Sequence, residues 1–231
     1  VKVVTLDIET VSPGWSPPRD DPDKFPPLPE HVPVVIAWLI ADSAKGVMDL
    51  QVYARLGKEL EQDDDERSSL LVLGSHLKEA GRIVTWNGRG FDMPLLNLRA
   101  LRLGVDWSFW PKMSHRYPKG FGQNRTPLIH HDMMDLLGDQ GGARTMPLDG
   151  VARLLGLPGK CDISGKDVGW LWPVEPQRVI RYCKADVLST YLIYLRWCQV
   201  FEGAKVNGSW DRAMGLAESL EGAWKDDLEE W

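Results

Sequence analysis

The stretch Val3-Val4-Thr5-Leu6-Asp7-Ile8-Glu9-Thr10 restricts the possible folds of this chain more than any other. It begins as an apolar, β-branched run of the kind that forms a buried strand, then places carboxylates at i and i+2. Alternation along a strand sends Asp7 and Glu9 to one side and Leu6 and Ile8 into the packing. Two like charges held a few ångströms apart repel, and a shared cation is the usual reason a fold tolerates them. The competing reading is a strand that simply runs out into a polar loop. Asp-x-Glu alone does not separate the two.

A chain of 231 residues, 43% hydrophobic and 26% charged, can bury one sizeable core and has the balance of a soluble globular protein. No apolar run is long enough to span a membrane, and no basic segment leads into an apolar secretory one. Three cysteines (Cys161, Cys183, Cys198) lack metal-ligand spacing. They suggest a reducing, cytoplasmic setting and packing or surface thiols. A net charge of -6 argues against coating long nucleic acid through a basic face. It leaves open an enzyme that grips a few nucleotides, where bound cations supply positive charge.

Along the chain, residues 12–33 are rich in Pro and Asp and read as a long loop, either bordering the carboxylate pair or a solvated insertion. Val34 to Ile40 and Val47 to Ala54 pair as a hairpin around Lys45-Gly46. Residues 57–80 read as a helix ending at Gly81, with Leu70, Leu73 and Leu77 at helical spacing. Ile83 to Trp86 is a short buried strand, followed by a helix from about Asp92 to Leu103 that stops at Gly104. Residues 105–128 interleave Trp107, Phe109, Trp110, Tyr117 and Phe121 with Lys112, Arg116, Lys119 and Arg125. That composition suits stacking on bases and following phosphates, and equally a Trp-pinned surface loop. His130 to Leu137 reads as a short strand or a helix, the strand favoured because loops bound it; 147–155 reads as a short helix, Glu175 to Val200 as a long one, and 211–229 as a last amphipathic helix. The result is a mixed α/β pattern built on one sheet.

Two further carboxylates complete a constellation. Asp92 follows Trp86-Asn87-Gly88-Arg89-Gly90-Phe91, where a strand enters a Gly-rich turn; it reads either as a helix cap or as part of a site. Tyr182 and Asp186 stand at i and i+4 and share one helix face. In order and in context, Asp7-Ile8-Glu9-Thr10, Asn87 to Phe91-Asp92, and Tyr182-x-x-x-Asp186 resemble the three motifs of the DEDD superfamily of 3′-to-5′ exonucleases, in the subgroup with Tyr in the third motif. More narrowly, the chain is similar to stand-alone predicted exonucleases related to the proofreading domain of family B DNA polymerases. The segments that carry this are Lys24-Phe25-Pro26-Pro27-Leu28-Pro29, the Trp86–Asp92 turn, His131-Asp132-Met133-Met134-Asp135-Leu136-Leu137, Leu154 to Lys160, and Tyr182 to Tyr194.

The resemblance covers about residues 3–198 of what reads as a single domain over 1–231, with a helical extension from about 207. It implies an α/β, RNase H-like (exonuclease-type) fold: a mixed five-stranded sheet flanked by helices. It implies two Mg²⁺ or Mn²⁺ ions, with Asp7, Glu9 and Asp186 holding one, Asp7 and, directly or through water, Asp92 serving the second, and Tyr182 orienting the attacking water or helping to deprotonate it. Four carboxylates without His or Cys suit such hard cations rather than zinc. Two metals ~3.5–4 Å apart are the known solution for hydrolysing a phosphodiester in line. Ile8, Thr10, Asn87 and Phe91 match positions beside the nucleotide, Phe91 reading also as a core aromatic. Lys160 and Lys166 read as phosphate contacts or solvated lysines, and His130-His131 as structural.

The expected activity is release of nucleoside monophosphates from the 3′ end of single-stranded or frayed DNA, in proofreading or repair beside a separate polymerase or repair partner. An exoribonuclease, an RNase H-like endonuclease and a non-catalytic nucleic-acid-binding module are the alternatives. Oligomeric state is open, and the Trp-bearing tail reads as packing within the chain or as an interface.

Overall fold

The computed structural model describes residues 1–21, 24–56, 63–113, 129–139, 142–143, 146–157 and 163–229, with side chains through Leu220. Five strands form one mixed sheet: β1 (Lys2–Val11), β2 (Val32–Asp42), β3 (Val47–Ala54), β4 (Arg82–Thr85) and β5 (His130–Asp132), in the order β3-β2-β1-β4-β5. β1 runs antiparallel to β2 and parallel to β4, and β4 runs parallel to β5. The C-terminal ends of β1, β4 and β5 therefore meet at one edge, the place where open α/β sheets bind ligands. The N-terminal end of β2 arrives at the same edge.

Alternation along β1 decides which helices meet which residues. Val4, Leu6 and Ile8 pack with α1 (Asp63–Lys78), α2 (Asp92–Leu103) and Trp107 to Trp110 on one face. Val3 belongs to the opposite face, with α4 (Met133–Leu137), α5 (Leu148–Leu154), α6 (Val168–Leu171), α7 (Pro176–Phe201) and α8 (Asn207–Glu229). Asp7 and Glu9 share the parity of Val3, so they look toward α7, the helix that crosses β1. Met214, Leu216 and Leu220 of α8 pack on that second cluster. The Arg196 guanidinium lies 4.6 Å from the Trp210 ring centroid. The side chains of Trp224 and Leu228, and Trp231 itself, fall outside the described residues.

Several elements depart from the sequence reading. Residues 57–62 lie outside the described residues, so α1 is seen from Asp63. The segment read as one strand over 130–137 is a three-residue strand and then helix α4. Asp132 ends the strand and its side chain accepts the Asp135 N–H as N-cap, so the Met-Met-Asp-Leu-Leu that follows is free to coil. Among its described residues the Pro-rich loop holds one 3-10 turn, Leu28–Glu30, entered from Pro27. Within 105–128, a short helix α3 spans Trp110–Met113. Trp107, Phe109 and Trp110 are buried in the core rather than presented for stacking. Tyr117, Phe121, Arg116, Lys119 and Arg125 lie outside the described residues. Gly104 and Gly156 end α2 and α5 with φ of 62° and 63°, the left-handed conformation that favours glycine.

A buried ionic triad braces the α1–α2 side. Glu66 of α1 accepts from Arg99 of α2 at 2.5 and 2.6 Å and from Arg55, just beyond β3, at 2.5 Å. All three side chains are nearly inaccessible, so each charge depends on its partners. Among the described residues, no helix is long and apolar enough to cross a membrane.

Candidate active site

Asp7 and Glu9 stand near the C-terminal end of the central strand, and Asp186 comes to them from α7. Ligand oxygens of these three residues lie within 4.8 Å of one another. Asp92 opens α2 directly after the turn that leaves β4. Its predecessor Phe91 occupies the N-cap without a side-chain cap bond, so Asp92 is placed inside the first turn and not as the cap. Asp92 is buried and close enough to Asp7 for their charges to repel.

The electrostatics are those of crowded acids partly withdrawn from solvent. Burial pushes the Asp7 carboxyl up to about 6, against the opposing pull of the Cys183 thiol and the Ile8 N–H. Burial raises Glu9 well above the carboxylate range, and the charges of Asp7, Asp186 and Asp92 raise it further. Asp92 is raised mainly by burial and then by Asp7. Tyr182 is held as a neutral phenol: burial comes first, then the charges of Asp186, Glu9 and Asp7, and then the hydrogen bond its hydroxyl donates to Asp186. The i, i+4 pairing expected on α7 is thus realised as a contact.

The donor set suits a divalent cation. Three carboxylates on two elements converge, none of the three is His or Cys, and positive charge between them would relieve the repulsion that burial intensifies.

The remaining expected residues take varied positions. Ile8 has its side chain in the apolar cluster at 5% exposure, and what it presents to the site is its backbone N–H, which faces both the Asp7 and Asp92 carboxyls. Thr10 follows a register shift in the β1–β2 ladder, and its hydroxyl lies 2.8 Å from His31 Nδ1. Asn87 is exposed, with φ at 58°, and its carbonyl accepts the N–H groups of Gly90 and Phe91. Phe91 is half-buried beside the rings of Phe25 and His31. Lys166 is exposed, and Lys160 and Cys161 lie outside the described residues. His130 and His131 are buried on Thr85 and Arg82, and burial lowers them to about 3 and about 4, which keeps both neutral and structural.

Two contributors escaped the sequence reading. The Asp132 carboxylate accepts the Asn87 N–H at 3.0 Å and the Arg89 N–H at 2.8 Å, so it clamps the turn that delivers Asp92. Arg89 in turn reaches the His130 carbonyl at 2.5 Å and Asp135 at 3.5 Å. Gly88 sits so close to Thr85 that a Cβ there would fall 2.5 Å from its side chain. Helix-capping chemistry at Asp132 was the available signal. The second contributor is Cys183, whose buried thiol points at the Asp7 carbonyl (3.4 Å) and carboxylate (3.5 Å). Its place next to Tyr182 was the only hint.

A mixed sheet flanked by helices, with an acidic cluster on its central strand, is the RNase H-like architecture of the exonuclease type. The chain belongs to the family described as predicted 3′-5′ exonucleases related to the exonuclease domain of PolB, whose model matches residues 23–230. That span contains the Asn87–Asp92 turn, Asp132, Tyr182, Asp186 and helix α8. It begins after β1, so Asp7 and Glu9 are joined to the family's segments by the fold itself. No curated protein matches the chain.

Proposed function

We propose that this protein is a divalent-metal-dependent 3′-5′ exonuclease acting on single-stranded or frayed DNA, with Asp7, Glu9, Asp92, Tyr182 and Asp186 as its catalytic residues. The observation that carries the reading is the convergence of Asp7, Glu9 and Asp186 within 4.8 Å, Glu9 buried and the other two half-buried, with Asp92 and Tyr182 against them. Asp7, Glu9 and Asp186 would hold one Mg²⁺ or Mn²⁺, and Asp7 with Asp92 a second. Bound cations of this kind lower the pKa of water and stabilise the charge that develops on a phosphate in transfer.

The residues of the chain account for the rest. The Ile8 N–H steadies the two carboxylates that flank it. The Tyr182 hydroxyl donates a hydrogen bond to Asp186 and keeps its oxygen lone pairs for a water O–H. A phenol in that position orients the attacking water or helps to deprotonate it. The Asn87–Phe91 turn borders the site where the terminal nucleotide would enter. DNA is preferred over RNA because the family is described by its relation to a polymerase exonuclease domain.

The test is a degradation ladder on 5′-labelled single-stranded DNA and RNA of one sequence, with Mg²⁺, Mn²⁺ or chelator, beside Asp7→Ala. Stepwise shortening of DNA that stops in chelator and in the variant is the expected result. Shortening of RNA alone overturns the substrate. Intact substrate in every lane, beside an active control nuclease, overturns the activity.

A further inference from the structure

A groove between α5 and α7 stays open although its walls are apolar. It has a volume of about 330 Å³, and Leu137 of α4, Val151 and Leu154 of α5, and Trp197, Val200 and Phe201 of α7 line it. Leu154 is 82% exposed, Phe201 68% and Val200 63%. Large apolar side chains gathered on one surface mark a contact site, whereas scattered ones do not. Among the described residues the one charged group in the lining is Arg196. Arg153, next to Leu154 on α5, is a second cation and is exposed.

The matching chemistry lies at the other end of α8. Residues 221–231 carry five acids and one base, Lys225. Trp224, Leu228 and Trp231 recur there at i, i+4 and i+7, the spacing of one helix face. The α8 backbone is helical as far as Glu229, so Trp224 and Leu228 share that face. An amphipathic helix laid into an apolar groove is anchored at such positions. The acids of the segment complement Arg196 and Arg153. Its own groove is out of reach. The Arg196 guanidinium lies 4.6 Å from the Trp210 ring centroid, so α8 begins beside the groove. A rise of 1.5 Å per residue then carries Leu228 about 27 Å along the axis from Trp210.

We propose that the groove between α5 and α7 receives residues 221–231 of a second copy of this chain, in a reciprocal two-fold exchange. Reciprocity makes the contact isologous and closes the assembly at a dimer. A buried Trp covers about 150–250 Å², so the four Trp of two such segments bury about 600–1,000 Å². The groove surfaces beneath them bring the total to about 1,200–2,000 Å², the range of stable interfaces. The exchange goes beyond the exonuclease reading and does not depend on it, since none of these residues belongs to the acidic cluster.

The experiment is sedimentation equilibrium of the full 231-residue chain from about 1 to 100 μM. The mass is expected to rise from 26.1 kDa toward twice that value. Two kinds of variant divide the contact. Leu154→Glu and Phe201→Glu each charge an exposed wall of the groove and should leave Tm unchanged. Trp224→Ser combined with Leu228→Ser blunts the segment. Each kind alone should raise the dimer Kd about 10- to 100-fold. Mixing a groove variant with the segment variant restores one intact groove and one intact segment, so the mixture should associate more tightly than either variant alone. A wild type that stays at 26.1 kDa throughout overturns the exchange and leaves the groove to a different protein. A dimer that neither groove variant weakens, or a mixture no tighter than its components, also overturns it.

Discussion

Replacing Asp7 by Asn is expected to make the metal-free protein more stable and to abolish most of its response to divalent cations. Burial raises the Asp7 carboxyl from its ordinary 3.8 to about 6. The folded state then holds the proton more tightly than the unfolded chain. Stability from this group is fully present below about pH 4 and is lost as pH rises through 6. Above that the ionised group costs the fold about 3 kcal/mol. Asn carries no such cost, and it also relieves Glu9 and Asp92, which Asp7 repels. For a chain of this size 1 kcal/mol moves Tm by about 2–4 °C. In chelator at pH 8 the variant should therefore melt roughly 6–12 °C above wild type, with the gap closing toward pH 4. Adding Mn²⁺ to a hundred times its Kd should stabilise wild type by about 2.7 kcal/mol and the variant far less. Melting followed by tryptophan fluorescence reads both effects. A variant that melts at or below wild type in chelator at pH 8, or an equal Mn²⁺ shift in both proteins, would refute the argument.

Three other perturbations separate support from chemistry. Glu66→Ala leaves Arg55 and Arg99 buried without their shared carboxylate and should cost about 3–5 kcal/mol, read as a fall in Tm of roughly 10 °C. Asp132→Ala removes two charge-assisted bonds from the turn that delivers Asp92 and should cost about 2–3 kcal/mol. Its kcat on single-stranded DNA should fall further than its stability at the assay temperature accounts for. Cys183→Ala removes a weak donor to Asp7 and should change Tm little. It should raise the Mn²⁺ concentration for half-maximal activity about 2- to 10-fold, as loss of one modest hydrogen bond to a ligand would.

The local grammar of the chain was legible without its structure. A β-branched run with carboxylates at i and i+2 specifies a strand with both acids on one side. Tyr182 and Asp186 at i and i+4 specify one helix face, and Gly104 and Gly156 specify helix ends. Each of these signals is complete within a few residues, because φ/ψ preference and side-chain periodicity act over that range. Other local signals were ambiguous: the aromatics from Trp107 to Trp110 suited a stacking loop and a Trp-pinned surface loop equally, and they fill the core beside α1. Composition states what a side chain can do, whereas topology decides whether it faces solvent.

What only the tertiary structure decided are contacts between distant parts of the chain. Cys183 meets Asp7 across 176 residues, Asp132 holds Asn87 across 45, and Arg99 pairs with Glu66 across 33. No periodicity encodes such pairings, since they depend on strand order and on which face each helix covers. The parallel arrangement of β1, β4 and β5 brings Asp7, the Asn87–Asp92 turn and Asp132 to one edge. The register of β1 then turns Asp7 and Glu9 toward α7 and Asp186. The four acids were visible as residues from the start. That burial raises Glu9 and that the other three acids repel it follow from an arrangement that only the folded chain creates.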